Sequence, residues 1–157
     1  MRLAWVPLLL VPAIAAGEEA ESGYELRLSP EAVEVDVGAA GAVSLTIVLR
    51  PGYTIDRDGP LRIRVEVEPA EGFDVPKKRF RRKHAADARA ESPRFDLRYK
   101  AAAAGDYTVA IDARFWICRR YTCRAARETR RVPVRVTKSP PVPAPPPADD
   151  AGPPAPQ

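Results

Sequence analysis

The chain has 157 residues, a formal net charge of +4 and 45% hydrophobic residues, enough for one ordinary domain with its own core. It has two cysteines and a single histidine, His84, which lies within a basic run. This composition argues against a Ser-His-Asp triad, a multi-histidine metal site and a structural zinc set. We therefore expect neither a metal nor a cofactor.

Residues 1–16 have the pattern of a secretory signal peptide. Arg2 supplies the positive start, an apolar run follows, and Ala13-Ile-Ala15 offers small residues for cleavage. The apolar run is too short to span a bilayer. We therefore expect export to a periplasmic or secreted location and a folded domain over residues 17–138.

The middle of the chain predicts an all-β fold. The segment Leu61–Glu68 alternates apolar and charged residues, which is typical of strands with one buried and one solvent-facing side. Turn signals separate it from further strand candidates. About seven to eight short antiparallel strands in this length indicate an immunoglobulin-like β-sandwich. The other candidates are Tyr24–Ser29, Ala32–Val37, Ala42–Arg50, Phe95–Lys100, Tyr107–Cys118 and Val132–Val136.

Positive charge is concentrated in the second half of the predicted domain. Residues 17–56 hold eight acids and two bases, whereas residues 57–138 hold eleven acids and twenty-two bases. Because the signal peptide argues against nucleic acid, an anionic envelope surface or an acidic partner protein is the better partner for the densest basic run. The simpler interpretation of that run is a solvated basic loop. Its cations are Lys77, Lys78, Arg79, Arg81, Arg82 and Lys83.

The two cysteines, Cys118 and Cys123, occupy a short hairpin-like stretch. Strand periodicity puts apolar residues on one face of Tyr107–Cys118 and leaves Cys118 on the outer face beside Trp116. Closing a hairpin over Arg119–Thr122 brings the cysteines face to face, close enough for a disulfide. The same register pairs Val109 with Val132 and Tyr107 with Val134. It also turns Arg124 and Arg130 inward, so we expect a bulge or a tip that projects beyond the sandwich.

The cysteine pair has two interpretations. A loop of six residues gives a disulfide only about 2 kcal/mol of stabilisation, and local exposed disulfides are often reactive. Nearby cations would also stabilise a thiolate. These points favour redox activity, while a structural hairpin staple remains the alternative. The cations expected to tune the thiolates are Arg114, Arg119, Arg120 and Arg124, with Arg127 close by.

Residues 139–157 are nearly half proline, which favours polyproline II and cannot bury a core. We expect this segment to be a disordered tail or spacer.

A family resemblance rests on Gly52-Tyr-Thr-Ile-Asp56, Pro60-Leu61, Val75-Pro76-Lys77, Gly105-Asp-Tyr107 and the two-cysteine hairpin. In these segments the chain resembles the amino-terminal domain of the thiol:disulfide interchange protein DsbD over residues 24–137. That family is an immunoglobulin-like module that relays electrons between a membrane domain and periplasmic acceptors. The resemblance implies that Cys118 and Cys123 are the exchanging pair, and that Tyr53 stands near the disulfide.

The leading functional hypothesis is an exported thiol–disulfide exchange module without a cofactor. Cys118 and Cys123 would exchange, while Trp116, Tyr53 and Tyr121 would shield the disulfide or dock a partner. That partner would be a thioredoxin-like or DsbD-like membrane redox protein acting in trans. The rival is a non-catalytic exported binding or structural module, and attachment to an anionic envelope surface is a third interpretation.

Overall fold

A computed structural model describes residues 22–138. These residues form ten strands and one 3-10 turn at Arg82–His84, with no helix long and apolar enough to cross a membrane. The predicted signal peptide and proline-rich tail lie outside the described residues and stay predictions. The strands are β1 (Tyr24–Ser29), β2 (Val33–Asp36), β3 (Ala40–Leu49), β4 (Tyr53–Ile55), β5 (Arg62–Glu68), β6 (Phe73–Asp74), β7 (Arg79–Arg81), β8 (Arg94–Ala101), β9 (Gly105–Arg119) and β10 (Thr122–Thr137).

The strands form two sheets packed as an immunoglobulin-like β-sandwich, which confirms the predicted fold class. The first sheet has the order β1-β3-β8-β6. The second has the order β2-β10-β9-β5-β7, and β4 pairs with the end of β9. The pairing of β2 with β10 is parallel, so the expectation of purely antiparallel strands was wrong at this edge.

Most of the alternating segments became strands close to their predicted bounds, whereas the predicted strand Val132–Val136 is only the end of β10, which begins at Thr122. β1 matches its prediction, and β5 begins one residue after the predicted start. The strands that were not predicted are β4, β6 and β7, each of two or three residues. Alternation over so few residues carries little periodic signal, and this accounts for the three strands beyond the seven named candidates.

The core lies between the sheets and is made by alternate residues of the strands. In β5, Ile63 and Val65 are buried while the arginines between them are exposed. Phe115 of β9 packs edge-on against Tyr24 of β1, with ring centroids 4.8 Å apart, and so joins the two sheets. Each fully buried aliphatic or aromatic side chain stabilises the fold by about 1.5–3 kcal/mol.

The β9–β10 hairpin continues without a bulge, so the first of the two expected alternatives, a bulge, was wrong. Fifteen residue pairs follow one unbroken register from Arg119–Thr122 to Gly105–Val136. Arg124 and Arg130 do take core-side positions opposite Ile117 and Ile111, but both remain exposed. They can reach solvent because β2 pairs with β10 only over Val134–Thr137, which leaves the rest of β10 at the sheet edge.

The basic run near residue 80 is not a simple solvated loop. Its centre forms β7, which pairs with β5 and buries Phe80 in the core. Arg79 and Arg81 flank that phenylalanine and are exposed. Strand periodicity therefore sends the cations on either side of Phe80 to the outer face of the sheet.

Candidate functional site

The cysteines lie directly opposite each other at the end of the β9–β10 hairpin. The register pairs Cys118 with Cys123, Val109 with Val132 and Tyr107 with Val134, as the sequence predicts. The two cysteines form a disulfide with an S–S distance of 2.00 Å and a Cα–Cα distance of 4.0 Å. Period-two alternation on both strands puts the disulfide on the outer face, opposite the core.

The two sulfur-bearing residues differ in exposure. Cys118 is only 8% exposed, because β9 lies between β10 on one side and Thr54 of β4 on the other. Cys123 is exposed, because its part of β10 has no further strand neighbour within residues 22–138. A partner approaching the hairpin therefore meets Cys123 first.

A two-residue turn closes the hairpin beyond the disulfide. Arg120 has a φ of 55°, the only positive φ at a non-glycine residue within residues 22–138. Hairpin turns of this length favour positive φ because it matches the twist of the strands, although a residue with a Cβ adopts it at a cost. Tyr121, next in the turn, is fully exposed.

The predicted aromatic residues do not gather over the disulfide. Trp116 lies on the same outer face, two residues before Cys118, and is 41% exposed. Tyr53 pairs with Arg119 in register, which places it on the opposite face. Its ring packs against Gly23, where an added Cβ would lie 2.5 Å from ring atoms. Tyr53 therefore lies on the face away from the disulfide, and Tyr121 is a fully exposed turn residue.

The predicted thiolate-tuning arginines are divided between the two faces. Arg114 shares the disulfide's face, but its guanidinium is bound to Asp112 at 2.9 Å. Arg119 lies 5.3 Å from the ring centroid of Tyr53 on the other face. Arg124, also on that face, donates a hydrogen bond of 2.8 Å to the Ser22 carbonyl. Arg120 lies in the turn itself. The sequence therefore predicted too many arginines beside the sulfur atoms, because alternation along the strands directs Arg119 and Arg124 to the opposite face.

Asp112 is the carboxylate that organises the outer face, and sequence reasoning did not single it out. It accepts hydrogen bonds from Arg114 Nε at 3.0 Å and from Arg127 Nε at 2.9 Å. Its side chain is 19% exposed. Burial raises its pKa, but hydrogen bonds and charge from Arg127 and Arg114 outweigh burial, and the pKa is held below its usual value.

The cations of the basic run separate into different environments. Arg79 and Arg81 join the outer face of the second sheet through β7. Lys77 Nζ lies 5.4 Å from the ring centroid of Phe80. Arg82 is half-buried and donates to the Asp56 carbonyl at 3.4 Å, and burial lowers its pKa. Lys78 and Lys83 are exposed.

No group of three or more histidine, cysteine, aspartate or glutamate side chains placed to hold a metal ion occurs between residues 22 and 138. The hairpin tip carries the disulfide, guanidinium groups and aromatic side chains.

Comparisons with solved structures find likeness to an S-layer protein and to a fimbrial subunit. No protein-family model and no curated protein matches the chain. Domains 4 and 5 of the S-layer protein SbsC are 15% identical with a TM-score of 0.46, over 72% of this chain and 51% of that chain. The fimbrial subunit AggA from Escherichia coli, which forms aggregative adherence fimbriae type I, is 10% identical with a TM-score of 0.34, over 73% of this chain and 94% of that one. The chain thus spans about half of the SbsC fragment, and at these identities the likeness concerns the fold alone.

Proposed function

We propose that the protein is an exported thiol–disulfide exchange module whose reactive group is the Cys118–Cys123 disulfide. The observation that carries this proposal is the position of the disulfide at an exposed hairpin tip with only one accessible cysteine. Disulfides persist in oxidising compartments, so a periplasmic or secreted location belongs to the same proposal. The resemblance to the amino-terminal domain of DsbD, which also carries its cysteine pair on a hairpin, supports it.

The unequal exposure supports different roles for the two sulfur atoms. A thiolate of a partner dithiol attacks Cys123 Sγ, forms the mixed disulfide, and displaces Cys118 as a thiolate. The partner's second thiolate then attacks the sulfur of the partner's first cysteine in the mixed disulfide, and Cys123 is released as a thiolate. The partner dithiol loses two electrons and becomes a disulfide, and Cys118 and Cys123 gain those two electrons and are left as thiolates that solvent can protonate. The reverse sequence transfers electrons from this protein.

The free edge of β10 supports docking of a partner near the exposed sulfur. Over Thr122–Pro133 this strand pairs with β9 along one edge, and no strand among the described residues pairs with its other edge. Unpaired backbone groups on an edge strand can pair with an extended segment of another protein. A thioredoxin-like domain, or a DsbD-like membrane redox protein acting in trans, is the class of partner that we propose.

Trapping with single-cysteine variants tests this assignment. We expect Cys118→Ser, which leaves Cys123 as a free thiol, to form a mixed disulfide with a thioredoxin-like protein that is supplied in its oxidised, disulfide form. We expect Cys123→Ser, which leaves the buried Cys118, to react far more slowly with the same protein and with an alkylating reagent. Equal rates for the two variants would contradict the role of exposure, and no adduct with either variant would contradict the proposed exchange.

A second candidate function is a non-catalytic binding module in which the disulfide holds the hairpin tip. The observation that favours it is the arginine-rich outer face of the same sheet, where Arg114 and Arg127 share the single carboxylate Asp112. A binding module predicts that partner affinity is the same in oxidised and reduced protein. A redox module predicts that the disulfide is exchanged when the partner binds.

A further inference from the structure

Four arginines form a continuous row across the outer face of the second sheet. Arg81 of β7 pairs with Arg62 of β5, Arg62 pairs with Arg114 of β9, and Arg114 pairs with Arg127 of β10. Because adjacent strands lie about 4.8 Å apart, this arginine row is about 14 Å long. The neighbours of these arginines along each strand face the opposite way and are buried in the core, among them Phe80, Ile63 and Ala113.

The arginine row is poorly neutralised by the protein itself. Like charges directly opposite each other across strands are destabilising, so such a row has an energetic cost. Arg114 and Arg127 share Asp112, whereas Arg62 and Arg81 have no ion pair with any carboxylate within residues 22–138. The next row along the strands contains Arg79 of β7, which pairs with Arg64 of β5, and Arg64 in turn pairs with Asp112 of β9. An anionic partner would relieve this repulsion.

An exposed indole stands beside the arginine row. Trp116 occupies the next outward position of β9, opposite Ala125 of β10. With Pro60, Arg62, Arg114 and Arg127 it lines a shallow hollow of about 340 Å³. Apart from the turn residue Tyr121 and the smaller Val37, Trp116 is the only exposed large hydrophobic side chain within residues 22–138. A flat aromatic surface is thus placed next to a line of guanidinium groups.

From this geometry we propose that the outer face binds an acidic polysaccharide, a linear chain of uronic acids. The C–H face of a pyranose ring would pack on the Trp116 indole. Carboxylates of successive sugars would pair with the guanidinium forks of the arginine row, which match carboxylate geometry. Strands present one arginine each at regular spacing, and this suits a polymer that carries one charge per sugar.

The geometry favours this occupant over other polyanions. A membrane surface would be expected to engage a cluster of exposed apolar groups that insert into it, whereas this face presents the single ring of Trp116. Nucleic acid could also bind arginines and an aromatic ring, but the disulfide indicates an oxidising compartment, away from cytoplasmic nucleic acid. Envelope glycans are encountered outside the cytoplasm.

Binding to alginate, a polyuronate, tests the proposal with the full chain. The test variant Arg62→Gln/Arg81→Gln removes two cations that have no ion pair in the described structure. The matched control, Arg98→Gln/Lys100→Gln, removes two exposed cations from β8 of the other sheet. We expect the test variant to bind alginate about tenfold more weakly and the control to stay within about twofold. We also expect Asp112→Asn to bind more tightly, because it removes the competing carboxylate.

The indole is tested separately from the charges. We expect Trp116→Ala to weaken alginate binding while leaving the slope of affinity against salt concentration unchanged, since that slope counts the ionic contacts. Equal weakening in the test and control charge variants would overturn the proposal, because binding would then follow net charge alone. Binding to neutral dextran as tight as to alginate would also overturn it. So would Arg62- and Arg81-dependent binding that is tighter to phosphatidylglycerol vesicles or single-stranded DNA than to alginate.

Discussion

Reduction of the Cys118–Cys123 disulfide is expected to leave the domain folded but measurably less stable. The disulfide closes a loop of only six residues, and the chain-entropy estimate for such a loop is about 2 kcal/mol. The hairpin is also held by fifteen backbone-paired positions between β9 and β10. A domain of this size typically has a free energy of unfolding of about 5–15 kcal/mol, so most of its stability should survive reduction.

Urea denaturation with and without reductant measures this loss. With a typical m-value for a domain of this size, about 2 kcal/mol lowers the urea midpoint by roughly 1–1.5 M. The far-ultraviolet circular dichroism of the reduced protein in buffer should still be that of a β-sandwich. The double variant Cys118→Ala/Cys123→Ala is the control, because its midpoint should not respond to the reductant.

Two results would refute this reasoning. If the reduced protein is already unfolded without urea, the disulfide is a structural staple that the hairpin cannot replace. If the midpoint shifts by several molar while m stays constant, the disulfide restrains far more of the chain than its six-residue loop, and the entropy argument fails.

Three further substitutions test the local physics. Asp112→Asn should lower the free energy of unfolding by about 1 kcal/mol at neutral pH. The pKa of Asp112 in the folded protein is lowered from 3.8, so the carboxylate adds stability above that value. This added stability is lost as pH falls through the folded pKa. A cost that does not shrink in acid would contradict this assignment. Arg120→Gly should raise the free energy of unfolding by about 0.5–1 kcal/mol by removing the Cβ at positive φ, and destabilisation would mean that the turn tolerates arginine without strain. Phe115→Ala should cost about 3–5 kcal/mol in thermal or urea unfolding, whereas a loss below 1 kcal/mol would show that the Tyr24 contact and core burial are unimportant.

Much of the fold could be predicted because period-two alternation is a strong signal in long strands. Leu61–Glu68 showed which side chains enter the core, and the structure buries Ile63 and Val65 as expected. The hairpin register could also be predicted, because a short turn between two alternating segments allows few pairings. The cysteine pairing followed from that register.

The features of the structure that the sequence did not predict depend on pairings between strands that are distant in the sequence. Tyr53 was expected near the disulfide, but the pairing of β4 with β9 sets its face, and three residues do not reveal that register. The arginine row required the registers of β7 with β5 and of β5 with β9, which no local pattern encodes. Asp112 was not recognised for the same reason, since its two arginine partners converge only when β10 folds back on β9.

The reduction potential of the Cys118–Cys123 pair tests the proposed exchange most directly. It can be measured by equilibrating the full chain with a thioredoxin-like protein of known potential and quantifying the free thiols. We predict a potential above about −300 mV, the range of disulfides that exchange, and the same equilibrium whether the mixture starts from the oxidised or from the reduced protein. A potential below about −300 mV, with no mixed disulfide trapped in either single-cysteine variant, would contradict the account and leave the disulfide as a structural staple.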